Sequence, residues 1–155
     1  MNLYLVQHGQ AASKEENPDR PLTTQGRADV DTVAAFLARH AGMDLSVIYH
    51  SGKLRASQTA DAFAQQLGPD AVEAVDGLGA KDEPKVWGDR ISERRDGMML
   101  VGHMPHLSKL ASMLLCGNPD DTCVEFQNGG VVHLVRHEED HTWSVKWVIT
   151  PDLIS

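Results

Sequence analysis

Two apolar runs, Leu3-Tyr4-Leu5-Val6 and Met98-Met99-Leu100-Val101, each give way within two residues to a histidine next to a glycine. They constrain the fold more than any other feature. Neither run alternates with polar residues, so each reads as a short strand buried on both faces, as at the centre of a parallel sheet. A strand that stops at His8-Gly9, or at Gly102-His103, leaves an imidazole at its carboxyl end. That end is where open α/β sheets receive ligands.

The chain between these runs alternates helix and strand signals. Polar residues 10–20 read as a loop that ends at Pro21. Thr23 or Thr24 then caps a helix whose Val30, Val33, Ala34, Leu37 and Ala41 recur at helical spacing, with Gly42 as its stop. Leu45–Tyr49 reads as the second strand. Leu54–Leu67 reads as a helix with Ala56, Thr59, Ala60, Phe63 and Leu67 on one face, ended by Gly68-Pro69. Ala71–Val75 is a weakly signalled strand, and Pro84 starts a short helix carrying Trp87 and Ile91. Pro105 suits the first turn of a helix striped by Leu107, Leu110, Ala111, Leu114 and Leu115, which Gly117 and Pro119 close. Val131–Val135 and Trp143–Ile149 read as two strands joined by a polar turn, the second half-exposed and at an edge. The expected fold is α/β: one three-layer domain over residues 1–155, a mostly parallel central sheet flanked by helices, and a C-terminal β-hairpin.

Charge and cysteine usage narrow the partners. The net charge is −8, with no block of consecutive Lys or Arg, so neither nucleic acid nor an anionic membrane surface is an expected partner. Any anion site must be locally basic. Cys116 and Cys123 form no disulfide framework or metal spacing; two thiols of an intracellular protein is the simpler reading, and a disulfide between them the alternative. The opening apolar run is too short for a signal peptide, and nothing approaches the ~20 apolar residues of a membrane span. The expected compartment is the cytoplasm.

Three residues draw the chemistry together. His8 and His103 follow strands, and Arg55 lies in the first turn of the helix that follows the second strand. All three therefore belong to one end of one sheet, where helix N-termini add N–H donors and partial positive charge suited to phosphate. A neutral imidazole is a good nucleophile near pH 7. Phosphoryl transfer needs mainly alignment and neutralised charge, which an Arg55 fork and a His103 donor supply. His137-Glu138-Glu139-Asp140-His141 has the letters of HExxH but falls in the polar turn between the last two strands rather than on a helix, and Asp29-Val30-Asp31 lies within the first helix away from both strand-end histidines, so neither a metal nor any other cofactor is expected.

These segments, Leu5-Val6-Gln7-His8-Gly9, Arg20-Pro21-Leu22-Thr23-Thr24-Gln25-Gly26-Arg27, Ser51 to Ala60 and Val101-Gly102-His103, resemble the histidine phosphatase (phosphoglycerate-mutase-like) superfamily. The short length and the Arg-Pro-Leu-Thr segment look most like its SixA-type phosphohistidine phosphatases. The resemblance implies that His8 is the phosphorylated nucleophile and that Gln7, Gly9, Arg55 and His103 bind the phosphoryl group. It also implies a shallow cleft open to a phosphohistidine on another protein.

Gln7 departs from the family pattern, which has Arg before His-Gly. An amide donates hydrogen bonds but supplies no charge. Losing such a donor without replacement is worth roughly 10²–10³ in rate. Lys53 and Lys14 are the basic residues near the motif in sequence that could compensate. Asp82 and Glu83 are the carboxylates considered for leaving-group acid, with a solvated loop as the simpler reading. His50, beside Ser51, could line the rim of the pocket, with a core or surface residue the simpler reading, and His106 reads alike; His133, His137 and His141 read as strand and turn residues. The leading expectation is a phosphatase for phosphorylated proteins, such as a phosphotransfer domain, acting through phospho-His8. The alternatives are a phosphatase for small phosphorylated metabolites, or a non-catalytic phosphate or phosphohistidine binder with Gln7 in its pocket.

Overall fold

Strand β1 (Asn2–Gln7) lies inside a six-stranded sheet and is buried on both faces, as its unbroken apolar run requires. The computed structural model describes residues 1–155. After β1 come α1 (Thr24–His40), β2 (Val47–His50), α2 (Leu54–Leu67), β3 (Ala71–Ala74), α3 (Pro84–Ser92) and β4 (Met98–Gly102). Then follow α4 (His106–Cys116), β5 (Val131–Arg136), β6 (Trp143–Ile149) and a one-turn α5 (Pro151–Ile154). The strand order is β3-β2-β4-β1-β5-β6. The first four strands in that order run parallel, and β5 and β6 add antiparallel as a hairpin.

Each strand's period of two sends its side chains into separate cores. Tyr4, Val6, Ile48, Met99 and Val101 face α1 and α2, meeting Val33, Leu37, Ala60 and Phe63. Leu3, Leu5, Met98 and Leu100 face α3 and α4, meeting Trp87, Ile91, Leu107 and Leu110. A strand with apolar contacts on both sides cannot alternate, which explains the two runs that opened the sequence.

The helix ends follow local chemistry. Thr23 caps α1 by accepting from the Gly26 N–H at 2.9 Å. Gly68 closes α2 in the left-handed conformation, φ 62°. Gly26 is required for a different reason: a Cβ there would sit 2.1 Å from the Gln10 carbonyl oxygen. The first turn of α1 thus packs directly on the loop that leaves His8. Strand β3 is weakly signalled because it is an edge strand whose side chains are mostly exposed. No helix is long and apolar enough to cross a membrane.

The cysteines follow the alternative reading and not the simpler one. Cys116 and Cys123 are bonded as a disulfide rather than standing as two thiols. Gly117, in the left-handed region at φ 74°, turns the chain back at the end of α4, and the Cys123 N–H donates to the Ser112 hydroxyl at 3.4 Å. That return brings the two sulfurs together.

Candidate active site

The parallel pairing of β1 with β4 sets Gln7 opposite Gly102, so the next residues, His8 and His103, emerge side by side at the carboxyl edge of the sheet. Their ring centroids are 5.0 Å apart. Both are buried, His8 at 9% exposure and His103 at 4%. The His8 N–H donates to the Gly102 carbonyl at 3.1 Å, carrying the strand ladder one residue past β1. Because the chain winds from β1 through β2 and β3 before β4 inserts between β2 and β1, this edge is where the sheet's connections part to opposite faces.

His8 has a defined tautomer. Its Nδ1 lies 2.7 Å from the Gly9 carbonyl oxygen, which can only accept, so Nδ1 carries the proton. The lone pair is therefore on Nε2. Asn128 Nδ2 donates to the His8 carbonyl at 2.9 Å, and the Gly129 N–H donates to the Gln7 carbonyl at 2.9 Å, so the turn before β5 clamps the backbone from the other side. Burial holds His8 below the ordinary imidazole value of 6.5, and the Arg55 and Arg20 charges push the same way. A ring that stays neutral below that value keeps its lone pair at neutral pH.

His103 shares a 2.6 Å hydrogen bond with Ser51 Oγ through Nε2. Ser51 follows β2, whose His50 pairs with Val101, so one register step fixes this contact. Burial first, then the charges of His8, Arg55 and Lys53, push His103 down to about 4.

The Arg55 side chain, in the first turn of α2, makes no hydrogen bond or ion pair, and its Nε is buried without a partner. A buried guanidinium nitrogen left unmatched is a costly arrangement that an anion would relieve. Gly9 behaves differently from the expectation that it binds phosphate. Its N–H donates to Thr59 Oγ1 at 3.0 Å, and the Thr59 hydroxyl donates to the Arg55 carbonyl at 2.7 Å. The Gly9 amide is thus spent tying the loop that carries His8 to α2. The closeness of α1 makes the glycine necessary, since a Cβ would lie 2.8 Å from Val30.

Gln7 is half-buried, and its side-chain amide has no hydrogen-bond partner within the chain. The basic residues that gather beside Arg55 are Lys14, Arg20 and Lys53, which line one cavity of about 540 Å³ with it. Nearness in sequence to the His-Gly motif points to the two lysines, whereas Arg20 joins them only through the fold of its loop. A second cavity, of about 560 Å³, runs from Ser51 and Lys53 past Asp82 and Glu83. Asp82 accepts from the Gly79 N–H at 2.7 Å, so it caps its own loop, and it lines a cavity with Ser51, the hydrogen-bond partner of His103. His106 is fully buried with both ring nitrogens unpartnered. His133 stacks on Tyr4 at 4.4 Å and bonds Asn2 Oδ1 at 2.8 Å, and His50 accepts from the Gly52 N–H at 3.1 Å. These last two are structural, as strand and turn residues.

The buried neutral histidines have a consequence for stability. His103 and His133 protonate near 4 in the folded chain against 6.5 when unfolded, and His8, His50 and His106 shift in the same direction. Between those values the unfolded chain binds more protons, so stability is full above pH 6.5 and declines as pH falls toward 4. His103 and His133 each account for up to roughly 3 kcal/mol of that loss. Urea unfolding at pH 7.5, 5.5 and 4.5 checks this, and equal stability at all three would contradict it.

Comparison with known proteins follows from this geometry. A sequence profile of the histidine phosphatase superfamily (branch 1) matches residues 3–80. No curated protein matches the full sequence significantly. Among solved structures, the protein histidine phosphatase SixA complexed with tungstate is 21% identical, with 100% of each chain covered and a TM-score of 0.85. The alpha-ribazole phosphatase of Shigella flexneri is 15% identical over 97% of each chain, with a TM-score of 0.77. A mycobacterial glucosyl-3-phosphoglycerate phosphatase in complex with VO3 is 16% identical over 94% of this chain and 97% of its own, with a TM-score of 0.70.

Proposed function

The chain belongs to the histidine phosphatase superfamily, and we propose that it hydrolyses phosphohistidine on phosphoproteins through a covalent intermediate on His8. The observation that carries this reading is the His8 tautomer. Nδ1 is committed to Gly9, Nε2 holds a free lone pair, and an unpaired Arg55 stands by for the anion.

In the first step the Nε2 lone pair of His8 forms a bond to phosphorus, and the substrate's P–N bond breaks. A phosphohistidine protonated on its other ring nitrogen departs as neutral imidazole, so the step needs no acid from the enzyme. Arg55 offers parallel N–H donors to two equatorial oxygens. His103, its ring 5.0 Å from that of His8, would donate to a third once the phosphoryl group takes the place of Ser51 on its Nε2 and the ring carries its proton there. The Gly9 carbonyl holds the Nδ1 proton and stabilises the positive charge that the phosphorylated ring acquires. In the second step a water oxygen bonds to phosphorus, the bond to Nε2 breaks with its electron pair returning to the ring, and both water hydrogens leave with inorganic phosphate as dihydrogen phosphate.

The leaving group separates this reading from its nearest rival. A sugar phosphate would release an alkoxide, which requires a proton donor at the site. Asp82 is occupied with the Gly79 N–H, and the hydrogen-bond partner of His103 is Ser51 rather than a carboxylate. The arrangement therefore favours a phosphoramidate, whereas relatives of this fold named for metabolites leave a phosphomonoester as the second reading. The test compares kcat/KM on a phosphohistidine-bearing phosphotransfer domain with a panel of sugar phosphates. The expected result is at least a ~10-fold preference for the phosphoprotein. Preference for the monoesters would replace the reading with the metabolite phosphatase, and no turnover of either would leave a phosphate-binding module.

A further inference from the structure

We propose that Arg20 supplies, from the loop after β1, the cationic donor to the phosphoryl group that Gln7 does not. The inference rests on the phosphatase reading and deepens it at the same site.

Three independent observations converge on this residue. The first is placement. The loop over residues 10–22 folds back on itself through an isolated bridge between Ala11 and Leu22. The Ala12 N–H donates to the Pro21 carbonyl at 2.8 Å, the Thr23 N–H to the Gln10 carbonyl at 3.0 Å, and the Leu22 N–H to Gln58 Oε1 of α2 at 2.8 Å. These bonds anchor the base of the loop to both α1 and α2, and Arg20 then lines the same cavity as Arg55. Its Nε donates to the Ala12 carbonyl at 2.9 Å, which aims the side chain and leaves both terminal nitrogens free.

The second observation is charge. This chain has 22 acidic residues against 14 Lys and Arg, yet Lys14, Arg20, Lys53 and Arg55 surround one cavity without a single ion pair among them. Asp19 also lines the cavity but pairs with none of them. Unpaired like charges repel unless something anionic occupies the space between. Arg20's field reaches both partners of the reaction, since it disfavours the protonated forms of His8 and Arg55 alike.

The third is backbone conformation. Arg20 has φ 50°, in the left-handed region that an arginine seldom occupies. Glycine would sit there without strain. Strain of this kind is retained where a side chain must be held in one place. Of the two lysines considered from sequence, Lys53 is exposed at the N-cap of α2 and Lys14 is exposed on the loop, so neither is held as Arg20 is.

The experiment uses the backbone to isolate the charge. Arg20→Gly removes the guanidinium at a position whose φ suits glycine, and Arg20→Gln serves as a second variant, with thermal melts confirming that both fold. Arg39→Gln, on the exposed last turn of α1, controls for general loss of charge. Tungstate binding by calorimetry and phosphohistidine hydrolysis are both measured. The expected result is a loss of about 10² in kcat/KM and at least a ~10-fold weaker tungstate affinity for the Arg20 variants, with Arg39→Gln unchanged. Gln7→Arg introduced into Arg20→Gly should return both readouts to within ~10-fold of the parent. If Arg20→Gly matches the parent in both, or if Gln7→Arg restores nothing, the proposal is overturned. If the parent hydrolyses no phosphohistidine, the phosphatase reading fails, and the tungstate titration alone decides the role of Arg20.

Discussion

Replacing His8 with alanine is expected to lower kcat by at least ~10³ while leaving the fold and the anion site in place. The argument is atomic. Only Nε2 of His8 combines a free lone pair with a buried position beside the unpaired guanidinium of Arg55 and the ring of His103. His103 has its Nε2 engaged by Ser51, so it does not stand in as nucleophile without giving up that bond. The backbone bond from the His8 N–H to Gly102 does not depend on the side chain, and the fold should tolerate the change. Acid unfolding should become slightly less steep in the variant, because one histidine with a lowered titration point has been removed. Two measurements check the chemistry. Rapid quenching of the parent with labelled substrate should trap a phosphoprotein stable to alkali and labile to acid, and His8→Ala should trap none. A His8→Ala protein that turns over within tenfold of the parent would end the covalent scheme.

The sheet and its active edge were legible because their signals are local. Leu3–Val6 and Met98–Val101 announce strands buried on both faces through composition alone, and both lie inside β1 and β4. Helix α2 runs over the expected Leu54–Leu67 because Gly68 is a strong stop. With three strand ends located, His8, His103 and the first turn of α2 had to share one edge. What stayed hidden depends on contacts between residues distant in sequence. Arg20 sits in a polar loop with no period, and its position is set by a return pairing and by Gln58 of another helix. Asn128 reaches His8 across 120 positions, and its only local trace is the Asn128-Gly129 pair, which signals a turn and says nothing of the turn's neighbour. Ser51 and Thr59 lay within a recognised segment, yet spacing could not show that one holds His103 and the other joins Gly9 to Arg55. The Cys116–Cys123 bond likewise follows from the reversal at Gly117.

Arg55→Met is expected to separate stability from activity. Methionine retains much of the aliphatic bulk and removes the guanidinium, including the Nε that is buried without a partner. Leaving that group unmatched costs the folded protein about 1–3 kcal/mol, so its removal should hold stability level or raise it by up to about 1 kcal/mol. Removing the repulsion between Arg55 and Arg20 acts in the same direction. Activity should move the other way, by roughly 10²–10³ in kcat/KM, because the fork that meets two phosphoryl oxygens is gone. Arg55→Lys should recover little of it, since an ammonium restores the charge without the planar pair of donors. Anion linkage gives the decisive readout. Tungstate should raise the melting temperature of the parent and leave that of Arg55→Met nearly unchanged, because a ligand stabilises only the state that binds it. If Arg55→Met instead unfolds readily while its remaining folded fraction hydrolyses phosphohistidine at the parent rate, then Arg55 is a packing residue of α2 and the anion is held elsewhere.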